Sequence, residues 1–312
     1  MKKTILTLFA TLVIALTSAA NGQANVERAF VSIAGDDQTA CTQTSPCRTF
    51  AGALLKVFDG GEIVAVDSGI YGNIQIDKSV TIQGAPGVYA VVGVDLKVGT
   101  AVTIAAPADA RVVLRNLHIT TDPHMVSQML RGIDFLSGGS LHVENCVVSG
   151  FKDFGIRFNL DQPSCDVRCP QLSVKDSFVR DNSVGIAIRS AALIEHSRIE
   201  GNDTGVQLGG NSQVTIRDSI VATNRSHGLT VAFLSTARVE SCSFTDNGKG
   251  LMVLGYDAGA GSIYVSNSLI SGNKVGLAHQ NGLVEGKIFS FRNNRVFGND
   301  TDGDFDQVLT QQ

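Results

Sequence analysis

The sequence predicts an all-β fold, a right-handed parallel β-helix in which short strands stack coil upon coil, and three observations point to it. First, from Leu141 onward one phrase recurs: a short alternating strand, a polar turn, a second strand, an Asn, then Gly followed by an aliphatic residue. Its Asn column runs Asn182, Asn202, Asn224, Asn247, Asn273, Asn299, in steps of 20 to 26 residues, within the range of β-solenoid coils. Second, the aligned column Ile119, Val148, Val179, Ile199, Val221, Phe244, Ile270, Val296 is apolar throughout, as one continuous interior requires. Third, the column Arg115, Glu144, Lys175, Glu195, Arg217, Glu240, Ser266, Arg292 alternates in sign through Glu240. Parallel stacking sets those opposite charges side by side, each exposed pair contributing roughly 0.2–1 kcal/mol. A single unit has strands too short to bury its own apolar face, so the units must share one core.

Taken in chain order, Lys2 and Lys3, the apolar run Ile5 to Leu16 and small residues through Ala20 have the form of a secretory signal peptide over residues 1–24, cleaved after Ala20 or Ala24. The run is too short to span a bilayer, and no later apolar stretch reaches about 18 residues. A secreted or periplasmic protein without membrane contact after cleavage is expected. Residues 25–60 read as an N-terminal cap. Ser45-Pro46 signals a helix start, Phe50, Leu54 and Val57 share one helical face, and Asp59-Gly60-Gly61 stops it. Such a helix would cover the open end of the first coil against edge pairing.

The β-helix proper is expected over residues 61–300, beginning with alternating Ile63, Ile74, Ile76, Val80 and Ile82. Its turn column, Asn116, Asn145, Asp176, His196, Asp218, Ser241, Asn267, Asn293, holds short polar residues that tolerate a left-handed backbone, and stacked amides there are expected to bond along the axis. A polar tail, 301–312, follows. Its Asp302, Asp304 and Asp306, with Asp300, lack the glycine of an EF-hand loop, so a solvated tail is expected rather than a calcium site.

Among six cysteines, Cys41 with Cys47 and Cys165 with Cys169 are local enough in sequence to pair in an exported chain. Cys146 and Cys242 share a column four coils apart, about 19 Å at a strand spacing of ~4.8 Å, and are expected to be buried free thiols. A net charge of -4 with scattered Lys and Arg forms no basic stripe, which excludes nucleic acid as a partner. The absence of Trp argues against a dedicated sugar-stacking platform and leaves Tyr256 and Tyr264 for that role. His118, His124, His142 and His279 show no metal-ligand spacing, so no metal site is expected.

The segments CRTFAGALLKVFDGGEIVAVDSGIYG and KSVTIQG, with the Asn-x-x-Gly-aliphatic coils, give residues 30 to 300 a resemblance to bacterial right-handed parallel β-helix repeat proteins of the pectate lyase-like superfamily. The resemblance implies the fold, and it implies a function drawn from lyases, polygalacturonases, uronate epimerases and adhesins. In glycosidases of this group the catalytic groups stand at the start of the strand that follows the turn, on successive coils. Ser226-His227-Gly228-Leu229 looks like their Gly-His-Gly element, and Asn202-Asp203-Thr204-Gly205 stands where their paired aspartates lie. Thr204 replaces the second carboxylate, and inverting hydrolysis needs one carboxyl as acid and another as base. A polygalacturonase is therefore disfavoured.

A lyase needs only a base beside a uronate carboxylate and cations, or calcium, to neutralise it. His227, Asp203, Lys249, Arg157 and Arg189 are the candidate catalytic residues, with Asp153 and Tyr256 as candidate ligand contacts. Polar side chains near turns are also the ordinary surface of any solenoid, and His227, followed by Gly, is the strongest single candidate. Two insertions, Thr121 to Gly132 and Asp161 to Pro170, interrupt the coils where loops carry specificity. The leading expectation is an exported β-helix engaging a polysaccharide or cell-surface partner along its elongated side, with no cofactor. A lyase or epimerase of acidic polysaccharides, with calcium as the ion it would recruit, is the alternative. An adhesin or structural surface protein comes third, since it would need an anchor and no barrel or sorting segment precedes Gln312.

Overall fold

The computed structural model describes residues 26–94, 99–121, 130–158, 170–256, 259–280, 282 and 284–310. The signal-like stretch, Cys165 and Cys169, and most of the two insertions lie outside the described residues. Each coil sends one strand to each of three sheets; Gln171–Lys175, Phe178–Arg180 and Val184–Ile188 form one such coil. The first sheet has 12 strands, from Val26–Val31 to Gln307–Val308; the second has 10, from Gly69–Ile70 to Arg295–Val296; the third has 10, from Ile74–Ile76 onward. After the first two strands, Val26–Val31 and Val57–Ala65, which pair with each other in the first sheet, consecutive strands of the coils enter different sheets, so each pairs in parallel with its counterpart one coil away. A short antiparallel pairing of Tyr256 with Gly259 and a bridge from Thr42 to Ser45 depart from this pattern.

The expected register holds. Ile119, Val148, Val179, Ile199, Val221, Phe244, Ile270 and Val296 are successive partners in the second sheet, and all but the last are fully buried. The charged column is in register on the first sheet from Arg115 to Ser266. Two of its neighbouring pairs close: Arg115 with Glu144 at 2.8 Å and Arg217 with Glu195 at 2.5 Å. The turn column is left-handed at all its members from Asn116 to Asn267, with φ between 46° and 53°.

The continuous amide ladder runs through the Asn column, not the turn column where it was expected. In the turn column one amide pair forms, Asn145 Nδ2 to Asn116 Oδ1 at 3.1 Å, because Asp176, His196, Asp218 and Ser241 interrupt it. In the Asn column each Oδ1 from Asn202 onward accepts twice from the preceding coil, while Asn182 Oδ1 takes the Phe151 N–H. Asn202 Oδ1 takes the backbone N–H of Asn182 and its Nδ2, both at 3.0 Å, and the pattern repeats through Asn224, Asn247, Asn273 and Asn299. Each Nδ2 also donates to the carbonyl of a core residue on the preceding coil, as Asn224 does to Ile199 at 3.1 Å. A buried polar group is tolerable only when paired, and here every rung is.

The glycine that follows, three residues on or four in the case of Gly228, has a steric cause. A Cβ at Gly205 would lie 2.6 Å from the carbonyl oxygen of Gly228 and 3.0 Å from Asn224 Nδ2, and Gly185, Gly228 and Gly250 meet the same wall. The Asn-x-x-Gly signature is thus one packing unit, an amide rung with the backbone of the next strand pressed against it. A second ladder runs through Cys146, Ser177, Ser197, Ser219, Cys242 and Ser268, where backbone N–H groups donate to the next coil's Ser Oγ at 3.1–3.2 Å. Cys146 and Cys242 are free and buried in this column, and burial pushes both thiols up to about 12. Cys41 and Cys47 form the expected disulfide.

Three elements differ from expectation. The capping helix is a single turn, Phe50–Leu54, starting at Thr49, whose side chain accepts from Gly52 N–H, rather than at Ser45-Pro46. Asp37 takes the N–H groups of Arg48 and Thr49 and so fixes the start there, while the strand Val26–Val31 extends the first sheet. In the last coil Ser290 pairs with Val265, so Arg292, not Asn293, takes the left-handed turn at φ 71°, and Arg292 leaves the charged column. One extra residue in that turn restores Val296 to its column opposite Ile270. Finally, the expected solvated tail is tied down: Gln307–Val308 joins the first sheet, and Asp302 Oδ1 accepts from Asn299 Nδ2 at 2.7 Å as a terminal rung. Asp306 bonds His279 at 2.8 Å.

Candidate functional site on the third sheet

The sequence-predicted residues fall on the outward side of the third sheet, but in three separate places. Along its leading edge Thr204, His227 and Lys249 are strand partners on successive coils, about 4.8 Å apart at each step. Asp203 precedes this edge and is held there: Arg225 Nε bonds its Oδ1 at 2.8 Å and Ser226 Oγ bonds the same oxygen at 2.9 Å. The Arg225 guanidinium holds the Asp203 carboxyl below the usual carboxylate range; partial burial opposes this and the Ser226 hydroxyl adds to it. Burial and then the neighbouring Lys249 push the His227 imidazole below its usual value, which favours its neutral form. This edge holds one fixed carboxylate, one imidazole and one ammonium group. It has no second carboxylate for hydrolysis, since Thr204 stands there.

Arg157 sits mid-strand in the outward column Asp134, Arg157, Ala187, Gln207, Thr230. It makes a two-pronged ion pair with buried Asp134, at 2.6 and 2.8 Å. Arg131 joins Asp134 at 3.2 Å and Asp153 at 2.7 Å. Asp153 therefore belongs to a structural ion-pair chain.

Arg157, Arg189 and Tyr256 do converge, on a cleft of about 320 Å3 whose wall also includes Gln207, Thr230 and Phe233. Phe233 and Tyr256 stack face to face, with centroids 4.4 Å apart and planes 2° from parallel. The backbone that presents Phe233 is unusual, because Phe233 and Leu234 are consecutive left-handed non-glycine residues, φ 52° and 62°, and both are exposed. Asn211 N–H anchors the turn on the Phe233 carbonyl at 2.9 Å. On the cleft floor the Thr230 hydroxyl is buried and has no hydrogen-bond partner among the described residues. Arg189 makes no ion pair among them either, and its stem lies over Gly210.

Sequence reasoning did not single out Phe233, Thr230, Gln207, Asp134 or Arg225. Phe233 carried one signal, an aromatic-aliphatic pair inside a turn that in other coils is small or polar. Among the described residues no group of three His, Cys, Asp or Glu side chains is placed to hold a metal ion. No helix of the described residues is long and apolar enough to cross a membrane.

These coils define a right-handed parallel β-helix of the pectate lyase-like fold. The sequence profile described as "Right handed beta helix region" matches residues 131–270. Pectate lyase Pel9A superimposes with a TM-score of 0.63 at 14% identity, covering 86% of this chain and 75% of that one. XylC in complex with xylose gives 0.61 at 10% identity, covering 86% and 67%. The enzymatically active domain of tailspike protein 2 of bacteriophage CBA120 gives 0.53 at 13% identity, covering 77% of this chain and 39% of that one. At these identities the likeness is one of fold. No curated protein matches the chain in sequence.

Proposed function

We propose that the protein is an exported, noncatalytic β-helix that holds an acidic polysaccharide in the cleft of the third sheet. The observation that carries this reading is the cleft rim. Two successive strained residues, each costing about 1–3 kcal/mol, keep an exposed ring stacked on Tyr256 beside Arg157 and Arg189. Rings supply area for the apolar faces of sugars, and Arg189, free of an ion pair among the described residues, supplies charge-assisted bonds to a carboxylate. The signal-like N-terminus and the Cys41–Cys47 disulfide support export. Carbohydrate chemistry is also in keeping with the names of two fold neighbours, a pectate lyase and XylC in complex with xylose.

Calorimetric titration with oligogalacturonate tests the proposal. Binding is expected, with Arg189→Ala and Tyr256→Ala each weakening it about tenfold. Wild-type affinity in both variants overturns it.

A second reading, a lyase or epimerase, is favoured by the His227 imidazole one strand from the Lys249 cation: a proton acceptor beside a group that neutralises a uronate carboxylate. Incubation with pectate and alginate, with and without calcium, decides it. No rise at 235 nm and no change in uronate composition are expected. Turnover that His227→Ala abolishes would establish the enzyme instead.

A further inference from the structure

We infer a second saccharide site, for a neutral sugar, on the outward face of the first sheet near the C-terminal end. A cleft of about 600 Å3 opens there, walled by Thr215, Thr236, Arg238, Glu240, Tyr264, Ser266 and Phe291. Arg238 and Tyr264 are strand partners one coil apart, both outward between inward pairs Ala237/Val239 and Ile263/Val265. Tyr264 stacks on Phe289 of the following coil, centroids 4.7 Å apart and planes 15° from parallel. Phe289 does not line the cleft, so it backs one face of the Tyr264 ring and leaves the other turned toward Arg238.

The charges of this cleft are set apart from those of the same face farther along. In earlier coils three pairs on this face close: Arg28 with Glu62, Arg115 with Glu144 and Arg217 with Glu195. Arg217 gives both Nε and Nη2 to Glu195, and Ser266 stands on the other side of Glu240, so Glu240 has no ion pair among the described residues. Arg238 likewise has none. One cation, one anion and three hydroxyls thus surround a free aromatic face, and the two charges cancel.

That combination selects a neutral polyhydroxylated ring. Its C–H face covers Tyr264, its vicinal hydroxyls donate to Glu240 and accept from Arg238, and Thr215, Thr236 and Ser266 complete the hydrogen bonds. An acidic sugar would set its carboxylate against Glu240, which separates this site from the cleft of the third sheet. The inference does not need the acidic-glycan reading of that cleft.

Titration of the full chain with cellohexaose, xylohexaose and mannohexaose tests the site. At least one is expected to bind, with Tyr264→Ala weakening it about tenfold. Arg238→Ala, at an exposed position that cannot disturb the core, is expected to weaken it in the same direction, and Tyr256→Ala to leave it unchanged. Absence of binding to all three, wild-type affinity in Arg238→Ala, or loss in Tyr256→Ala equal to that in Tyr264→Ala would each overturn the inference. Oligogalacturonate titrated in parallel reads the third-sheet cleft separately, so failure of one site does not mimic failure of the other.

Discussion

Two turn columns run through the later coils of this solenoid, and their demands differ. Between the first and second sheets a single left-handed residue makes the corner, and Asn, Asp, His and Ser all fill it. Between the second and third sheets a left-handed residue, Asp181, Gly201, Thr223, Asp246, Gly272 or Gly298, is followed directly by an amide, buried from Asn182 to Asn273, and from Asn182 to Asn299 every coil uses Asn there. The first corner asks for a backbone conformation, which several short side chains tolerate with their polar ends in water. The second asks in addition for an acceptor and a donor at fixed places in a dry interior, a demand that Asn meets with both ends of one side chain. Exposure permits variety, and burial with paired hydrogen bonds removes it.

The largest expected effect breaks the buried column. Asn224→Ala leaves the Asn202 backbone N–H without its acceptor, takes from Asn202 Nδ2 one of its three acceptors, and removes the donor that Asn224 Nδ2 gives the Ile199 carbonyl. Buried orphans cost about 1–3 kcal/mol each, so urea unfolding should show a loss of about 3–5 kcal/mol. Next comes Gly205→Ala, whose Cβ must displace the Gly228 carbonyl or the Asn224 amide; about 1–3 kcal/mol is expected from the same measurement.

Acid titration sharpens the contrast at the exposed face. The Arg217 guanidinium bonded to Glu195 holds that carboxyl below its usual range, so the pair stabilises the fold above the ordinary glutamate pKa. That contribution is lost as pH falls through the lower folded value, and Glu195→Gln should show a shallower acid limb in a plot of thermal midpoint against pH. The smallest effect belongs to the left-handed corner. His196→Asn keeps a residue type that the corner already accepts, and its stability should stay within about 0.5 kcal/mol of wild type.

Parallel stacking, the apolar interior and the register of the charged face were legible from repetition, because a period reports which residues must superimpose. The role of the Asn column was half legible. Its positions were plain, but that it, rather than the exposed turn, carries the continuous ladder depends on burial. Its tie to the glycine column depends on how closely two backbones approach. The candidate sites divide the same way. Asp203, His227 and Lys249 occupy repeat positions, so the alignment alone set them on neighbouring coils. Arg225, which fixes Asp203, and Asp134, which neutralises Arg157, were missed because pairing across coils depends on side-chain direction as well as on column.

The sequence by itself thus determined a parallel solenoid, its core columns and the free thiols of Cys146 and Cys242, since each follows from spacing along a regular axis, and the Cys41–Cys47 bridge, which follows from nearness in the chain. Tertiary structure decided where Phe233 meets Tyr256, where Tyr264 turns a free face to Arg238, and how one extra residue near Asn293 re-registers the last coil. Those features lie in turns of unequal length or in contacts between coils. There the repeat no longer dictates position, and packing and backbone conformation do.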